Sequence, residues 1–319
     1  MPIAIEDTLG ILADNLRLRR SVLPIPVESA TRWTAGLGLP RGGETVLYTG
    51  LMYQLIPYIE ALVAAEVRLG DSWLARFSAF GRQVNRLLDV SSVLARPSAA
   101  AQAAYDRVPR NVALLLKRAG VTFGSLYEDD LYSGALVYDL GADEAFEAHA
   151  HRVYEALRKN GVRRAITIDP HTTNMLRSVY PRVIEGYDLR VESYLEVLAK
   201  TGMQAQRDLG EEVVIHDSCV LARYEGVVDE PRRLLEGAGV TVQEPEHSGR
   251  QTLCCGGPAE SLFPRKAEAF ARSRVAELAA AGRRAVTMCP ICLVNLSKAA
   301  GDSLALEDIS DYLRRAYDA

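Results

Sequence analysis

Short apolar runs alternate with amphipathic stretches along the second half of the chain. EVVIHDS (212–218), VTVQEP (240–245) and RAVTMCP (284–290) have the length and apolar content of buried strands. Between them, residues 231–239 and 264–282 have helical spacing and end at glycines, which commonly terminate helices. Strands that alternate with helices predict α/β units whose strands pair in parallel.

The first half has a similar order, with an added helical region. Its predicted strands are TVLYTGL (45–51), GVTFGSLY (120–127) and RAITIDP (164–170). Its predicted helices cover residues 6–19, 143–159 and 191–208, and mostly helical spacing also runs from Met52 to about Leu116. A segment rich in proline and glycine, residues 23–44, leads into the first strand.

The two halves also share residues. GVRRAITIDPHTTNML (161–176) matches AGRRAVTMCPICLVNL (281–296), and KRAGVTF (117–123) matches EGAGVTV (236–242). YSG (132–134) falls where CCG (254–256) falls, and YTGLMY (48–53) where HDSCVL (216–221) falls. An internal repeat of this kind predicts two copies of one supersecondary unit. We expect an α/β fold of two tandem pseudo-repeated units, each a small, mostly parallel sheet flanked by helices. Residues 1–45 would be a helical lead-in, 46–205 the first repeat with its helical insertion, and 206–319 the second repeat.

Composition and charge narrow the functional classes. The chain has 48% hydrophobic and 24% charged residues and a formal net charge of −4, which are ordinary values for a soluble globular protein. A near-neutral chain without a basic block argues against binding to nucleic acid. No apolar run approaches the roughly 18 residues that predict a membrane span. The charged N-terminal residues lack the apolar region of a signal peptide, so a cytoplasmic location is expected.

All five cysteines fall in the second repeat, each at or just after the end of a predicted strand. They are Cys219, Cys254, Cys255, Cys289 and Cys292, in the pattern C-x34-CC-x33-C-x2-C. An odd number in a chain of this class argues against a disulfide framework. Loops at the carboxyl ends of parallel strands meet at one edge of the sheet. Five thiols from three loops are therefore expected to meet at one point.

The number of thiols favours an iron–sulfur cluster over a single ion. Zinc takes four ligands, and two adjacent cysteines do not easily ligate one small ion together. A cluster of several irons accepts more sulfur ligands. Gly256 and Gly257 would let the backbone approach the inorganic sulfides, and their N–H groups could donate to sulfur. The alternatives are a zinc-binding structural or assembly protein without redox activity, buried structural cysteines, and a free-thiol redox sensor.

Other polar residues allow both a functional and a structural interpretation. His216 could hydrogen-bond a sulfide or carry a proton, or be a strand-end histidine bonded to backbone. Arg223 could offset the negative charge of a cluster, or lie on the surface. Tyr132, Asp169 and His171, at the corresponding place in the first repeat, could bind a small ligand or another metal. The simpler interpretation is that hydrogen-bonded side chains fill a lost site.

Two further histidines lie on a predicted helix among Ala and Glu. His149 and His151 cannot share a helical face at that spacing, so we expect both on the surface.

The motifs resemble the cysteine-rich CCG family, whose type member is a component of heterodisulfide reductase. The resemblance rests on His216-Asp217-Ser218-Cys219, on Cys254-Cys255-Gly256-Gly257, and on Cys289-Pro290-Ile291-Cys292, strongly over residues 212–298. It implies an iron–sulfur protein that moves electrons as one component of an oxidoreductase complex. The five cysteines would hold one [4Fe-4S] cluster of the non-cubane form. No catalytic residue is assigned.

The chain departs from this family pattern in its first repeat, which has lost every cysteine. The replacements are Leu51, Tyr132, Ser133, Asp169 and Thr172. The first repeat should keep the fold and bind no cluster, so disulfide cleavage between two clusters is in doubt. Residues 12–43 resemble the connector that in relatives follows a ferredoxin-like segment. The resemblance therefore implies a separate ferredoxin-like iron–sulfur subunit, a flavoprotein subunit, or both as partners.

Overall fold

The computed structural model describes residues 5–69 and 96–317 of the 319-residue chain. The elements up to residue 201 are α1 (Ile5–Arg19), α2 (Val27–Thr31), β1 (Thr45–Tyr48), α3 (Met52–Leu69), α4 (Ala99–Arg118), α5 (Ala135–Asp139), α6 (Asp143–Lys159), β2 (Arg164–Thr167), α7 (Pro170–Asn174), α8 (Tyr180–Val183), β3 (Arg190–Ser193) and α9 (Tyr194–Thr201). A π-helical turn, Met175–Val179, joins α7 to α8. The middle of the helical stretch predicted between Met52 and Leu116 lies outside the described residues.

The remaining elements form the second unit. They are β4 (Glu211–His216), α10 (Asp229–Gly237), β5 (Val240–Gln243), α11 (Pro264–Ala281), β6 (Arg284–Thr287), α12 (Pro290–Ala300), β7 (Ala305–Asp308) and α13 (Ile309–Tyr317). The ends of β4, α10, β5, α11 and β6 agree closely with the segments predicted from the apolar runs and glycine stops. A π-helical turn over Val220–Tyr224 follows β4.

Each unit is built on its own parallel sheet, which confirms the predicted fold class. The first sheet has the order β1-β2-β3, and the second has the order β5-β4-β6-β7. Every pairing within both sheets is parallel. Because parallel strands need crossover connections, helices lie between successive strands and cover the sheets.

The strand predicted over residues 120–127 forms only two isolated bridges. Gly124 bridges to Val46 in parallel, at the place that β5 occupies in the second sheet. Pro40 accepts the hydrogen bond of the Ser125 N–H, and Gly42 donates to the Ser125 carbonyl, both at 2.9 Å. Backbone groups that would extend a strand are therefore used by the lead-in segment.

The strands β3 and β7 were not predicted. Residues 191–208 were expected to be helical, but β3 occupies the beginning of that segment and α9 follows it. The change occurs at Ser193, whose hydroxyl caps α9 in a capping box with Glu196. Both missed strands have four residues, two of them charged. So short and polar a run carries no clear apolar signal.

The two units pack against each other through a shared hydrophobic core. Apolar residues of both sheets, among them Leu47, Ile166, Val213 and Ile215, belong to one buried cluster. Helices complete it, since α4 contacts α13, and α9 contacts α10. The domain boundaries at residues 46 and 206 stay a prediction. Within the described parts of the chain, no helix is both long and apolar enough to span a bilayer.

Candidate metal centre

The cysteines lie at the carboxyl end of the second sheet. Cys219 directly precedes the π-helical turn after β4. Cys254 and Cys255 lie in the connection between β5 and α11. Cys289 is the N-cap residue of α12, and Cys292 lies in its first turn. Pro290 occupies the first helical position, where its missing N–H costs nothing.

The five thiols form one continuous set, which we call the five-cysteine site. Cys219 Sγ and Cys254 Sγ are 3.8 Å apart. Cys254 lies within hydrogen-bonding reach of Cys255, Cys255 of Cys292, and Cys292 of Cys289. All five cysteines fall within the described residues, and all are free thiols.

The five-cysteine site is buried on one side and partly exposed to solvent on the other. Cys289, Cys255 and Cys292 are 0%, 2% and 3% exposed, whereas Cys219 and Cys254 are partly exposed. A group held by all five sulfurs would therefore be shielded from water on the α12 side. It would lie nearest to solvent beside Cys219 and Cys254.

Contacts among the sulfurs favour a negative charge at two of them. Hydrogen bonds from the thiols of Cys219 and Cys255 and from the Gly256 N–H (3.3 Å) lower the pKa of Cys254 far below its ordinary value. Burial by itself would raise the pKa of Cys289, but hydrogen bonds from Cys292 and His171 hold it well below the usual range. Thiolates are the form of cysteine that binds metals, so the site is prepared for a cation.

His216 points a ring nitrogen into the site. It is fully buried, and its Nδ1 accepts a hydrogen bond from Arg274 Nε at 3.0 Å. A ring nitrogen lies within 4.8 Å of the sulfurs of Cys255 and Cys292, a distance at which the three residues could hold a metal ion. Burial, together with the charge of Arg274, lowers the pKa of His216 to about 3. The imidazole is therefore neutral at physiological pH.

The two glycines after the cysteine pair allow the loop to lie against two helices. Gly256 has φ +80°, and a Cβ there would lie 2.6 Å from the backbone oxygen of Ala267 on α11. A Cβ on Gly257 would overlap Ile291 on α12 and lie 3.5 Å from Cys255 Sγ. Close helix packing thus requires the glycines, in addition to the N–H group that Gly256 directs at sulfur.

Arg223 has contacts other than the one considered from the sequence. Its exposed guanidinium donates to the carbonyl oxygens of Arg250, at 3.2 Å, and of Thr252. Arg223 thereby ties the turn after Cys219 to the segment that precedes Cys254. Its effect on the charge of a cluster stays a prediction.

The residues present fit an iron–sulfur cluster. Three buried polar atoms beside the cysteines, His216 Nε2, Ser218 Oγ and Thr287 Oγ1, have no hydrogen-bond partner in the described parts of the chain. Buried donors are normally satisfied. The inorganic sulfides of a cluster accept such hydrogen bonds, and the cluster binds through thiolates. Five converging thiols with buried donors beside them match both requirements.

The corresponding place in the first unit is filled with side chains. Thr172 Oγ1 donates to Ser133 Oγ at 3.3 Å, and both residues are fully buried. Asp169 is the N-cap of α7, accepting from the Thr172 N–H at 2.9 Å. A Cβ on Gly50 would overlap Thr172. The other carboxylate oxygen of Asp169, Oδ2, is buried and has no hydrogen-bond partner within the described residues. That this place is a lost site filled by hydrogen-bonded side chains stays a prediction.

Two histidines of the first unit, His149 and His171, are buried and make contacts that were not predicted from the sequence. His149 is 1% exposed, so the expectation that it lies on the surface is wrong, whereas His151 is exposed. The helix α6 turns His149 inward, and its Nε2 lies 2.6 Å from the Tyr132 carbonyl. His171 reaches across to the second unit, where it lies within hydrogen-bonding reach of Cys289, and its Nδ1 lies 3.7 Å from Asp139.

Arg274 was not predicted as a site residue from the sequence. A signal for it exists, because Ala267, Ala271 and Leu278 are buried at helical spacing on α11 and Arg274 falls on the same face. A charged residue on an apolar helical face is rarely buried unless it is paired. Only the positions of its partners reveal what it pairs with.

Known proteins resemble this chain. A family model described as a cysteine-rich domain (CCG) matches residues 213–297. A protein named probable iron-sulfur-binding oxidoreductase FadF, from Bacillus subtilis, is 34% identical over 67% of this chain and 31% of its own length. EtfAB:quinone oxidoreductase from Syntrophomonas wolfei is 28% identical over 67% of this chain and 32% of its own.

A third relative extends the comparison. One component of the dihydromethanophenazine:CoB–CoM heterodisulfide reductase from Methanosarcina barkeri is 26% identical over 63% of this chain and 53% of its own length. The chain spans about a third of the length of the two bacterial relatives. Residues 213–297 therefore match the CCG cysteine-rich domain, and the chain is similar to iron–sulfur oxidoreductases and to a component of heterodisulfide reductase.

Proposed function

We propose that this chain is an iron–sulfur electron-transfer subunit of an oxidoreductase complex of the heterodisulfide reductase type. In this proposal one [4Fe-4S] cluster, of the non-cubane form, is bound by Cys219, Cys254, Cys255, Cys289 and Cys292. The observation that carries the proposal is the continuous set of five thiols, contributed by three loops at one end of a sheet.

Ligand number favours this cofactor over zinc. Zinc in a structural site takes four ligands in a closed tetrahedron, and the site offers five sulfurs. The two adjacent cysteines point to successive neighbours in the set, Cys254 toward Cys219 and Cys255 toward Cys292. Such a spread perimeter suits a group of several metal ions.

The protein side chains would hold, shield and expose the cofactor in different places. When bound, the cluster supplies one-electron transfer. The buried thiols of Cys255, Cys289 and Cys292 would exclude water on the inner side. Cys219 and Cys254 form the partly exposed edge, where electrons would enter or leave.

The partners belong to the same proposal. Curated relatives include an EtfAB:quinone oxidoreductase and components of heterodisulfide reductases, whose names describe multi-component redox systems. We expect a ferredoxin-like iron–sulfur subunit, a flavoprotein subunit, or both to exchange electrons at the exposed edge. The first repeat is expected to bind no cluster. The cytoplasmic location stays a prediction.

Metal and sulfide analysis tests the proposal. The full chain, purified without air, should contain about four iron and four acid-labile sulfide per chain and little zinc. Its electron paramagnetic resonance signal should change with oxidation. Cys254→Ser should lose that signal, whereas Ser133→Ala, at a cysteine position lost from the first repeat, should keep it. Stoichiometric zinc without sulfide, in protein never exposed to oxygen, would overturn the proposal and favour a structural metal protein.

A further inference from the structure

We infer that Arg274 is a positioning residue that fixes the proton of His216 on Nε2 and so directs an N–H donor into the five-cysteine site. Only one part rests on the proposed function, namely that the acceptor is a sulfur of the cluster or of its ligands. The orientation and the tautomer of His216 depend on the protein alone.

Arg274 is held firmly enough for this role. It lies on α11, and its side chain is 0% exposed. Its guanidinium donates to His216 Nδ1 at 3.0 Å, to the His247 carbonyl at 2.9 Å and to Thr252 Oγ1 at 3.3 Å. The carboxylate of Glu277, 2.9 Å away, balances the buried charge. Partners on four sides leave the planar guanidinium little freedom to rotate.

This contact determines the tautomer of the imidazole. A guanidinium only donates hydrogen bonds and stays protonated in proteins, so Nδ1 of His216 must present its lone pair. In a neutral imidazole the proton then resides on Nε2. That nitrogen is fully buried and has no hydrogen-bond partner within residues 5–69 and 96–317. Because Arg274 occupies Nδ1, Nε2 is the ring nitrogen left to donate toward the Cys255 and Cys292 sulfurs, which lie within 4.8 Å of a ring nitrogen.

The same contact makes His216 a donor and not a metal ligand. A ring nitrogen lies within 4.8 Å of Cys255 Sγ and Cys292 Sγ, so distance alone would permit ligation. To bind a metal through Nε2 while Nδ1 accepts from Arg274, the ring would have to be a doubly deprotonated imidazolate. A hydrogen bond from the Nε2–H group to sulfur requires no loss of a proton from the ring. Donors to cluster sulfurs raise the reduction potential by stabilising the added electron.

Arg274 also has a structural role, which the test must separate from the tautomer. Thr252, which accepts from Arg274, donates to the Asp217 carbonyl at 3.1 Å. Arg274 thereby joins the end of β4 to the segment two residues before Cys254. A variant could lose the cluster only because this segment moves.

The test combines redox titration with nitrogen-15 histidine labelling of the full, cluster-loaded chain. His216→Leu should keep its iron and show a more negative midpoint potential. His216→Gln, which places an amide N–H near the position of Nε2, should restore most of the shift. Arg274→Met should move the potential in the same direction as His216→Leu. The double variant should move it no further, because both changes remove one hydrogen bond.

The nitrogen-15 labels distinguish a His216 that donates a hydrogen bond from a His216 that binds a metal ion. Pulsed electron paramagnetic resonance should show a weak nitrogen coupling that His216→Leu removes. A strong coupling typical of metal-bound nitrogen, or additive potential shifts in the double variant, would overturn the inference. Arg272→Met, an exposed arginine on the same helix paired with Glu268, is the matched control and should leave the potential unchanged.

A metal-free experiment separates this inference from the proposed function. Nitrogen-15 chemical shifts of His216 in the metal-free full chain should show the Nε2–H tautomer, retained in Arg274→Lys and lost or mixed in Arg274→Met. The Nδ1–H tautomer in the wild-type chain would refute the inference whatever metal the protein binds. A chain that binds zinc but shows Nε2–H would refute the proposed function and leave the role of Arg274 intact. If Arg274→Met does not fold, the wild-type and Arg274→Lys chains still decide the tautomer.

Discussion

The two units present the same backbone at corresponding places and use it differently. Gly134 and Gly256, which close the two aligned tripeptides, have φ values of +82° and +80°. Asp169 and Cys289 are both N-cap residues, and each is followed by a proline in the first helical turn. In the first unit Thr172 bonds to Ser133 and to Asp169 Oδ1, although the second carboxylate oxygen of Asp169 has no partner in the described chain. In the second unit the side chains converge as thiols beside buried donors that lack partners within the described chain.

This difference shows that the repeated scaffold supplies positions, while the side chains decide whether a ligand fits. Thr172 and Ser133 are small polar residues that can close a space by a hydrogen bond. Cys292 and Cys255, their counterparts, lie with His216 close enough together to hold a metal ion.

The first unit still contributes to the site of the second. His171 contacts Cys289 across the interface, and its counterpart Ile291 packs against the core of the first unit. Each of these two aligned residues therefore contacts the unit to which it does not belong. The degenerate unit provides a hydrogen-bond partner for a proposed cluster ligand.

The largest contrast is expected from paired substitutions at corresponding positions. Cys255→Ser should remove most of the iron, because serine is a poor ligand for an iron–sulfur cluster. Ser133→Ala should leave the iron content unchanged and cost about 1 kcal/mol of stability through one lost hydrogen bond. Iron analysis and urea unfolding measure the two effects. Similar iron losses in both variants would show that the first unit also binds metal.

The second contrast concerns the two glycines. Alanine at Gly134 must adopt a left-handed conformation, which costs about 1–2 kcal/mol, and meets the ring of Phe146 at 3.0 Å, which can move. Alanine at Gly256 meets the backbone oxygen of Ala267 at 2.6 Å, and this oxygen cannot move without shifting α11. Gly256→Ala should therefore lower the free energy of unfolding more than Gly134→Ala in urea titrations of the metal-free chain. Equal losses would mean that the α11 contact is not tight.

The smallest expected difference between the two units is in how their stability depends on pH. Burial raises the pKa of Asp130 from 3.8 to about 7, although the backbone N–H groups of Thr49 and Gly50 donate to its carboxylate. Its counterpart in the second unit, Thr252, carries no charge. Because the folded state holds the proton more tightly, the stability from Asp130 is complete below about pH 4 and is lost as the pH rises through about 7.

Asp130→Asn isolates this effect from the other carboxyl groups. The difference in unfolding free energy between wild type and variant should change across that pH range and stay constant below it. The measurement is urea unfolding at a series of pH values. A pH-independent difference would show that Asp130 titrates normally in the folded chain.

Much of the fold was predictable because local patterns express it. The strands β1, β2, β4 and β6 are apolar runs buried between helices, and α6 and α11 carry clear end signals. The strands β3 and β7 were not predicted, because a four-residue segment with two charges forms a strand only by pairing with a neighbouring strand. The prediction for His149 failed because α6 is buried on the face that carries this residue.

The sequence by itself determined the chemistry of the candidate site. Five cysteines placed at the ends of strands must meet, because parallel strands bring their carboxyl ends to one edge. Only the tertiary structure decided which sulfurs are buried, that His171 crosses between the units, and that Arg274 holds His216. These relations join residues 58 positions apart in one case and 118 in the other. Hydrogen bonds and burial depend on distances in space, which spacing along the chain does not specify.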